Sequence, residues 1–224
     1  MFFALPKQLG MMLGRALRES GQALDRVGSI MTRDAAFRER YSRHRKLMNL
    51  DQLYPTHGKS FIAPNSTLIG EVLVGNDCSI LYGVVLRGDL SAIRIDDNVH
   101  IGENSVLHTV KWLPHGIPNS LNIAKNVVIG PGCMLSSCLI DSDVWIQAGA
   151  VVQQGGKVEK GAILLPGAVV GPGNTVPAFT VFGGYPSKFV RDVNEQDLAD
   201  KELALKEAGE QAQRNHELLK SLGH

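Results

Sequence analysis

Histidine is the residue type in this chain that could do metal chemistry, and the sequence has seven of them. Zinc needs three or four nitrogen, sulfur or oxygen ligands that converge on one point. Five of the histidines show no mutual spacing of that kind: His57, His100, His115, His216 and His224. His44 lies in a basic segment near the N-terminus. His108 differs from the others, because it directly follows an aliphatic residue of a long repeat and precedes a segment that breaks the repeat.

Two other groups of side chains need an interpretation. Cys78, Cys133 and Cys138 all occupy a small, inward-facing position of the repeat. We therefore interpret them as buried core residues in a reducing compartment, not as a metal cluster. His115 stands in the segment that breaks the repeat, where it could return toward His108 or act as a general base. Loop histidines are usually just solvated.

A six-residue period must position all of these residues. Large aliphatic side chains recur at eighteen positions: Ile62, Leu68, Val74, Ile80, Leu86, Ile95, Ile101, Leu107, Ile123, Ile129, Leu135, Ile140, Ile146, Val152, Val158, Leu164, Val170 and Val176. A fixed short period is typical of a solenoid. Three hexads per turn predict an all-β parallel β-helix with three flat faces and six or seven turns, stacked about 4.8 Å apart.

The repeat divides the chain into three parts. Residues 1–50 form a basic arm, with ten Lys or Arg against four Asp or Glu up to Lys46. A helical stripe runs through this arm: Leu9, Leu13, Leu17, Leu24, Val27 and Met31. Residues 51–191 form the β-helix, from which residues 109–122 are expected to project as a loop. Residues 192–224 form an amphipathic C-terminal helix, whose start is marked by Asn194 and by Asp197 three residues later.

Composition gives no support for nucleic-acid binding or for a membrane-spanning segment. The net charge is +1, so no overall electrostatic field favours nucleic acid. No apolar stretch approaches the length that crosses a membrane. The basic N-terminal helix is instead expected to be retained, lying on anionic lipid or on a partner protein.

The chain resembles a known family at a set of short motifs. They include Leu86-Arg87-Gly88-Asp89, Ile101-Gly102-Glu103-Asn104-Ser105, Leu107-His108 and Phe182-Gly183-Gly184-Tyr185-Pro186-Ser187-Lys188. All are similar to the γ-class carbonic anhydrases, over about residues 61–191. The segments 18–26 and 37–49 resemble the arm of the mitochondrial members, which are subunits of respiratory complex I in plants, algae and many protists. The resemblance implies a left-handed coil.

The resemblance also implies where a metal would lie. The family is trimeric, and three histidines from two neighbouring chains hold its zinc. Those positions match His108, Pro131 and Ser136 here, so only one ligand is retained. Gly102 stands where the family often has Gln. Arg87 and Asp89 match residues that pair across the subunit boundary, so we expect them at a trimer interface.

These matches predict a non-catalytic, γ-carbonic-anhydrase-like structural subunit of mitochondrial complex I. It would join related chains in a trimer, on the matrix side of the inner membrane, beside membrane-arm subunits. The chain itself would carry no catalytic residue and no cofactor, and zinc would bind only at an interface between its partner chains. The alternatives are an active carbonic anhydrase that uses His108, a hexapeptide acyltransferase that uses His115, and a bacterial maturation or storage protein.

Overall fold

The computed structural model describes residues 46–48, 53–113 and 118–221, together with nine separate residues between positions 13 and 31. These nine residues are helical and exposed, and they include five members of the predicted stripe: Leu13, Leu17, Leu24, Val27 and Met31. Leu9, His44, His115 and His224 lie outside the described residues, as does most of the arm. None of the described helices is long and apolar enough to cross a bilayer.

Residues 46–214 contain a parallel β-solenoid with three flat faces, which confirms the predicted fold class. The first face contains Leu47–Met48, the first halves of Thr67–Val74 and Val85–Ile95, Val106–His108, Met134–Ser136, Val151–Val152 and Val169–Val170. The second face contains Thr56–His57, the second halves of the same two long strands, Leu121–Ile123, Leu139–Ile140, Lys157–Val158 and Thr175–Val176.

The third face contains Phe61–Ile62, Ser79–Ile80, His100–Ile101, Val128–Ile129, Trp145–Ile146, Ile163–Leu164 and Thr180–Gly183. Lys188–Asp192 closes this face as an antiparallel strand. The first turn begins earlier than the aliphatic period indicates, because Leu47 and Met48 pair with Leu68 and Ile69. The solenoid therefore already begins within the predicted arm.

The repeat fills the core as the period predicts. The large aliphatic side chains of successive turns stack inside the prism, and the small residues two positions earlier are buried beside them. Cys78, Cys133 and Cys138 are buried, free thiols in that stack. A wide core of aromatic residues would not fit inside a coil whose faces are so short.

The corners depend on left-handed backbone conformations. Between the second and third faces these are adopted by a column of short polar residues: Asp77, Asn98, Asn126 and Asp143. Asn and Asp tolerate positive φ better than other non-glycine residues. The Asn98 side-chain amide also donates to Asn126 Oδ1 at 2.8 Å, which links successive turns.

The predicted projecting loop leaves the solenoid after His108 and returns at Leu121, two residues earlier than expected. Its base is fixed by hydrogen bonds to the neighbouring turns. The Val110 N–H donates to Ser137 Oγ at 2.8 Å, and the Ser137 hydroxyl donates to the Asn119 carbonyl at 2.6 Å. The loop presents Trp112 to solvent with 75% of its surface exposed.

The C-terminal helix, Glu195–Ser221, begins with the predicted cap. The Asp197 N–H donates to Asn194 Oδ1 at 2.8 Å, and the Asn194 N–H donates to Asp197 Oδ2 at 2.9 Å. Residues 195–214 of this helix pack on the solenoid, where Lys201 Nζ donates to the Asp143 carbonyl at 3.2 Å. Gly209 faces His100 on the third face, where a Cβ would meet the imidazole at 3.8 Å.

Candidate functional site

His108 and Ser136 are brought together by strand pairing on the first face. They occupy equivalent positions on adjacent strands, with Leu107 and Leu135 buried directly before them. His108 Nε2 and Ser136 Oγ share a hydrogen bond of 3.0 Å. The His108 Nε2 atom is therefore already hydrogen-bonded to the Ser136 hydroxyl.

Arg87 lies on the other side of His108, one strand away in the same register. Its guanidinium donates from both Nε and Nη2 to Asp89 Oδ2, each at 2.9 Å. The Asp89 side chain is only 13% exposed, and its Oδ1 is buried without a hydrogen-bond partner among the described residues. In the single chain these two residues thus pair with each other.

The electrostatic surroundings keep His108 neutral. Burial lowers the pKa of its imidazole, the nearby Arg87 guanidinium lowers this pKa further, and the Asp89 carboxylate opposes that shift. A neutral imidazole is the form that can ligate a metal.

Pro131 lies at the exposed corner after Val128–Ile129. Its position is coupled to that of Gly102 on the preceding turn, because a Cβ at residue 102 would lie 2.5 Å from the Pro131 nitrogen. A glutamine at position 102 would therefore require the 130–131 backbone to move. Two of the three departures from the expected family pattern, Gly102 and Pro131, are thus in direct contact.

The sequence comparisons point to a single family. A mitochondrial γ-carbonic anhydrase 3 from Arabidopsis thaliana is 46% identical over 186 residues, which covers 83% of this chain and 72% of that protein. The chain belongs to the γ-carbonic anhydrase family. A mitochondrial γ-carbonic anhydrase-like protein 1 from the same plant is 40% identical over 167 residues, covering 74% of this chain and 66% of that protein. No protein-family model matches the sequence.

A solved structure agrees with this membership at the level of fold. A hexapeptide transferase family protein from Anaplasma phagocytophilum superposes with a TM-score of 0.69 at 28% identity. The match covers 75% of this chain and 96% of that protein. The solenoid of this chain is therefore similar to that of a protein of the hexapeptide transferase family.

Only one of the three positions that the family resemblance assigns to zinc carries an ordinary zinc ligand in this γ-carbonic anhydrase-family chain. At the three matched positions it offers one imidazole, one neutral hydroxyl and a proline that has no side-chain donor. Serine is a poor substitute for the nitrogen, thiolate or carboxylate ligands of zinc. Within the described parts of the chain, no group of three or more His, Cys, Asp or Glu side chains is placed to hold a metal ion.

Cys133 lies two residues after Pro131 but cannot replace a ligand. Its side chain points into the core, 3.2 Å from the Gln147 carbonyl. Burial raises the pKa of the thiol, whereas a zinc ligand must be a thiolate. His115, the candidate in the loop, lies outside the described residues.

The structure also shows the contacts of His100, a histidine to which the sequence analysis assigns no role. His100 is 4% exposed, and its Nδ1 lies 2.6 Å from Ser79 Oγ. Its Nε2 lies 3.3 Å from Asn98 Oδ1, beneath the C-terminal helix. In the sequence, the only indication of its location was its place directly before Ile101, because the residue at that position points outward from a face.

Proposed function

We propose that this chain is a non-catalytic, structural subunit of mitochondrial respiratory complex I. It would join related γ-carbonic anhydrase chains in a trimer, on the matrix side of the inner membrane. The observation that carries the proposal is the His108–Ser136 pair, a hydrogen bond in a place where the family pattern calls for two metal ligands. The mitochondrial relatives support the compartment.

The loss of ligands has a consequence for the whole trimer. CO₂ hydration in a zinc enzyme depends on bound water whose pKa falls to about 7. The side chains retained here supply no substitute for that effect. If each site draws on two chains, this chain weakens the site at both of its seams. Zinc would then bind only between its two partners.

Metal content and activity test the catalytic part of the proposal. The full-length chain is purified, washed with chelator, loaded with Zn²⁺ and assayed for bound zinc and CO₂ hydration. We expect substoichiometric zinc and no hydration above buffer. Stoichiometric zinc with hydration that is lost in His108→Ala would overturn the proposal in favour of an active carbonic anhydrase.

The variant Pro131→His/Ser136→His is the matched control for that assay. It restores an imidazole at each of the two altered positions while keeping His108. We expect it to bind more zinc than the unmodified chain, which shows that the assay detects a complete site on this scaffold. If the unmodified chain and the double variant both bound stoichiometric zinc, Pro131 and Ser136 would not prevent zinc binding and the proposal would be wrong on this point.

Native gel electrophoresis of solubilised mitochondrial membranes tests the assembly part. We expect the chain to migrate with complex I, together with other γ-carbonic anhydrase chains. Its appearance only as a free matrix protein would contradict the proposal. An acyltransferase is another alternative, and acetyl-transfer activity that is abolished by His115→Ala would establish it.

A further inference from the structure

The strand that closes the third face has an open edge. Lys188–Asp192 pairs with Thr180–Gly183 on one side, and no strand of the described chain lies on its other side. All five residues of this strand are exposed, including Phe189 at 55% and Val190 at 53%. An edge strand has backbone N–H and C=O groups that can pair with a strand from another chain.

The other two faces end differently at the C-terminal end of the solenoid. The first face ends at Val169–Val170, where the Val169 N–H donates to the Gly184 carbonyl at 3.0 Å. The second face ends at Thr175–Val176, which is only two residues long. Edges that are short or already hydrogen-bonded resist pairing with another chain. Lys188–Asp192 is neither, so this strand is where another strand can be added.

Val190 lies at the centre of this edge strand and is not paired within it. Arg191 pairs with Val181 and Phe189 pairs with Phe182, so the ladder skips Val190 as the extra residue of a bulge. A bulge and a lysine on an edge strand both discourage pairing with an arbitrary strand. A strand that is added here must therefore match both features.

The charged residues of the strand are placed symmetrically about Val190. Lys188 lies two residues before it and Asp192 two residues after it, and both are exposed. Neither side chain forms an ion pair within the part of the chain that the structure describes, whereas the nearby Arg191 pairs with Asp197. In an antiparallel pair of identical strands centred on Val190, each Lys188 would lie opposite the Asp192 of the other strand. Opposite charges across an antiparallel pair stabilise it, and like charges destabilise it.

We propose that Lys188–Asp192 pairs with the same strand of a second copy of this chain, about a two-fold axis that passes beside Val190. Such an interface uses the same patch on both copies, and this strand is complementary to its own antiparallel copy. Each interface would contain two ion pairs between Lys188 and Asp192 and one central contact between the two Val190 side chains. The two bulges would lie opposite each other. The inference goes beyond the proposed function and concerns the C-terminal end of the solenoid.

Reversal of these two charges tests the inference, with a second copy of the chain as the probe. Sedimentation equilibrium at low ionic strength, where exposed ion pairs are least screened, measures self-association of the full-length chain. The variants are Lys188→Glu, Asp192→Lys and the double variant Lys188→Glu/Asp192→Lys. Lys206→Glu is the matched control, because Lys206 is an exposed lysine of the C-terminal helix. Circular dichroism and thermal melting confirm that each variant is folded.

We expect the unmodified chain, Lys206→Glu and the double variant to associate with similar dissociation constants, because the double variant again has opposite charges at the two positions. Each single reversal places like charges opposite each other twice in one interface. The dissociation constant should therefore rise about tenfold or more. An equimolar mixture of Lys188→Glu and Asp192→Lys should associate again, since each variant supplies the charges that the other lacks.

Disulfide formation locates the two-fold axis. Under oxidation with copper phenanthroline, Val190→Cys should give a disulfide-linked pair of chains. Leu203→Cys should remain a single chain, because Leu203 is similarly exposed, at 56%, but lies on the C-terminal helix. The three native cysteines are buried.

Three results would each overturn the inference. They are an unmodified chain that does not self-associate, single reversals that associate as tightly as the unmodified chain, and a double variant or mixture that does not recover association. A Val190→Cys chain that stays single would overturn the position of the axis and the inference with it. None of these results bears on the proposed function, because Lys188 and Asp192 lie outside the positions matched to zinc ligands.

Discussion

A histidine at a position that the family resemblance assigns to a metal can also contribute to the fold. His108 sits between Arg87 and Ser136 on three adjacent strands, and its imidazole bonds to the Ser136 hydroxyl. Burial keeps the ring neutral, so it does not repel Arg87 as a cation would. The pair links two turns of the solenoid through side chains, in addition to the backbone ladder. This hydrogen bond gives His108 a structural contact within the fold.

This view predicts the outcome of removing either partner. His108→Ala and Ser136→Ala should each lower the free energy of unfolding by about 1 kcal/mol, the usual net value of one hydrogen bond. The double variant should cost less than the sum of the two single variants. Urea unfolding measures all three.

An exposed histidine provides the control for that series. Among the described residues His57 pairs with the adjacent Gly58 carbonyl, so His57→Ala should stay within about 0.5 kcal/mol of the unmodified chain. Fully additive costs at His108 and Ser136 would show that the two side chains do not cooperate. Loss of a bound metal in His108→Ala would show that the histidine still serves as a ligand.

The C-terminal helix is the element whose attachment depends most on ionisable groups. Its first turn is anchored by Asp197, which accepts hydrogen bonds from the Arg191 guanidinium. That contact lowers the pKa of Asp197 to about 2, so its stabilising effect is lost only as the pH falls from about 4 toward 2. Farther along the helix, the titratable group beneath it is His100. Burial lowers the pKa of this imidazole.

A mildly acidic pH should therefore weaken this part of the fold through His100. The unfolded chain binds a proton at His100 below about pH 6.5, whereas the folded chain resists protonation until a lower pH. The free energy of unfolding should fall as the pH drops from about 6.5 toward the lowered pKa. Urea unfolding between about pH 7.5 and 5 measures this slope, and His100→Gln should flatten it.

His108→Gln is the matched comparison, because burial lowers the pKa of that histidine as well. His100 is the more deeply buried of the two, so His100→Gln should remove the larger part of the slope. If His100→Gln left the pH dependence of the free energy of unfolding unchanged, protonation of this histidine would not affect the helix. Hydrogen exchange of Glu195–Ser221 should respond in the same order.

At the scale of the whole molecule, the six-residue period was sufficient to predict the solenoid. Each inward position is filled by a side chain whose size the narrow prism dictates, so Leu107 or Ile129 can be recognised from spacing alone. The strand at Leu47–Met48 could not be predicted this way, because two residues carry no period. The helix over His100 and the contact between Gly102 and Pro131 depend on tertiary distances. The interpretation of His108, Pro131 and Ser136 needed a family pattern, because composition and spacing do not indicate which positions of a solenoid would ligate a metal.

A solenoid held by neighbouring turns should open from its ends, because each turn contacts only the turns beside it. The reactivity of the buried thiols shows which turns open first. Cys78 lies in the second turn and Cys138 in the fifth, and burial raises their pKa values to about 11 and about 12. Neither thiol can react until its turn opens. In variants that retain only one of these cysteines, we expect N-ethylmaleimide to label Cys78 faster than Cys138.

The same variants in denaturing urea provide the reference, since the two thiols should then react at similar rates. Mass spectrometry follows the labelling under native conditions. Equal native rates would mean that the coil unfolds as one cooperative unit, so that the stack of turns transmits stability along its full length. Faster labelling of Cys78 would instead show that opening begins at the N-terminal turns. The fifth turn, which contains Ser136 and pairs with the His108 strand, would then belong to the more stable part of the solenoid.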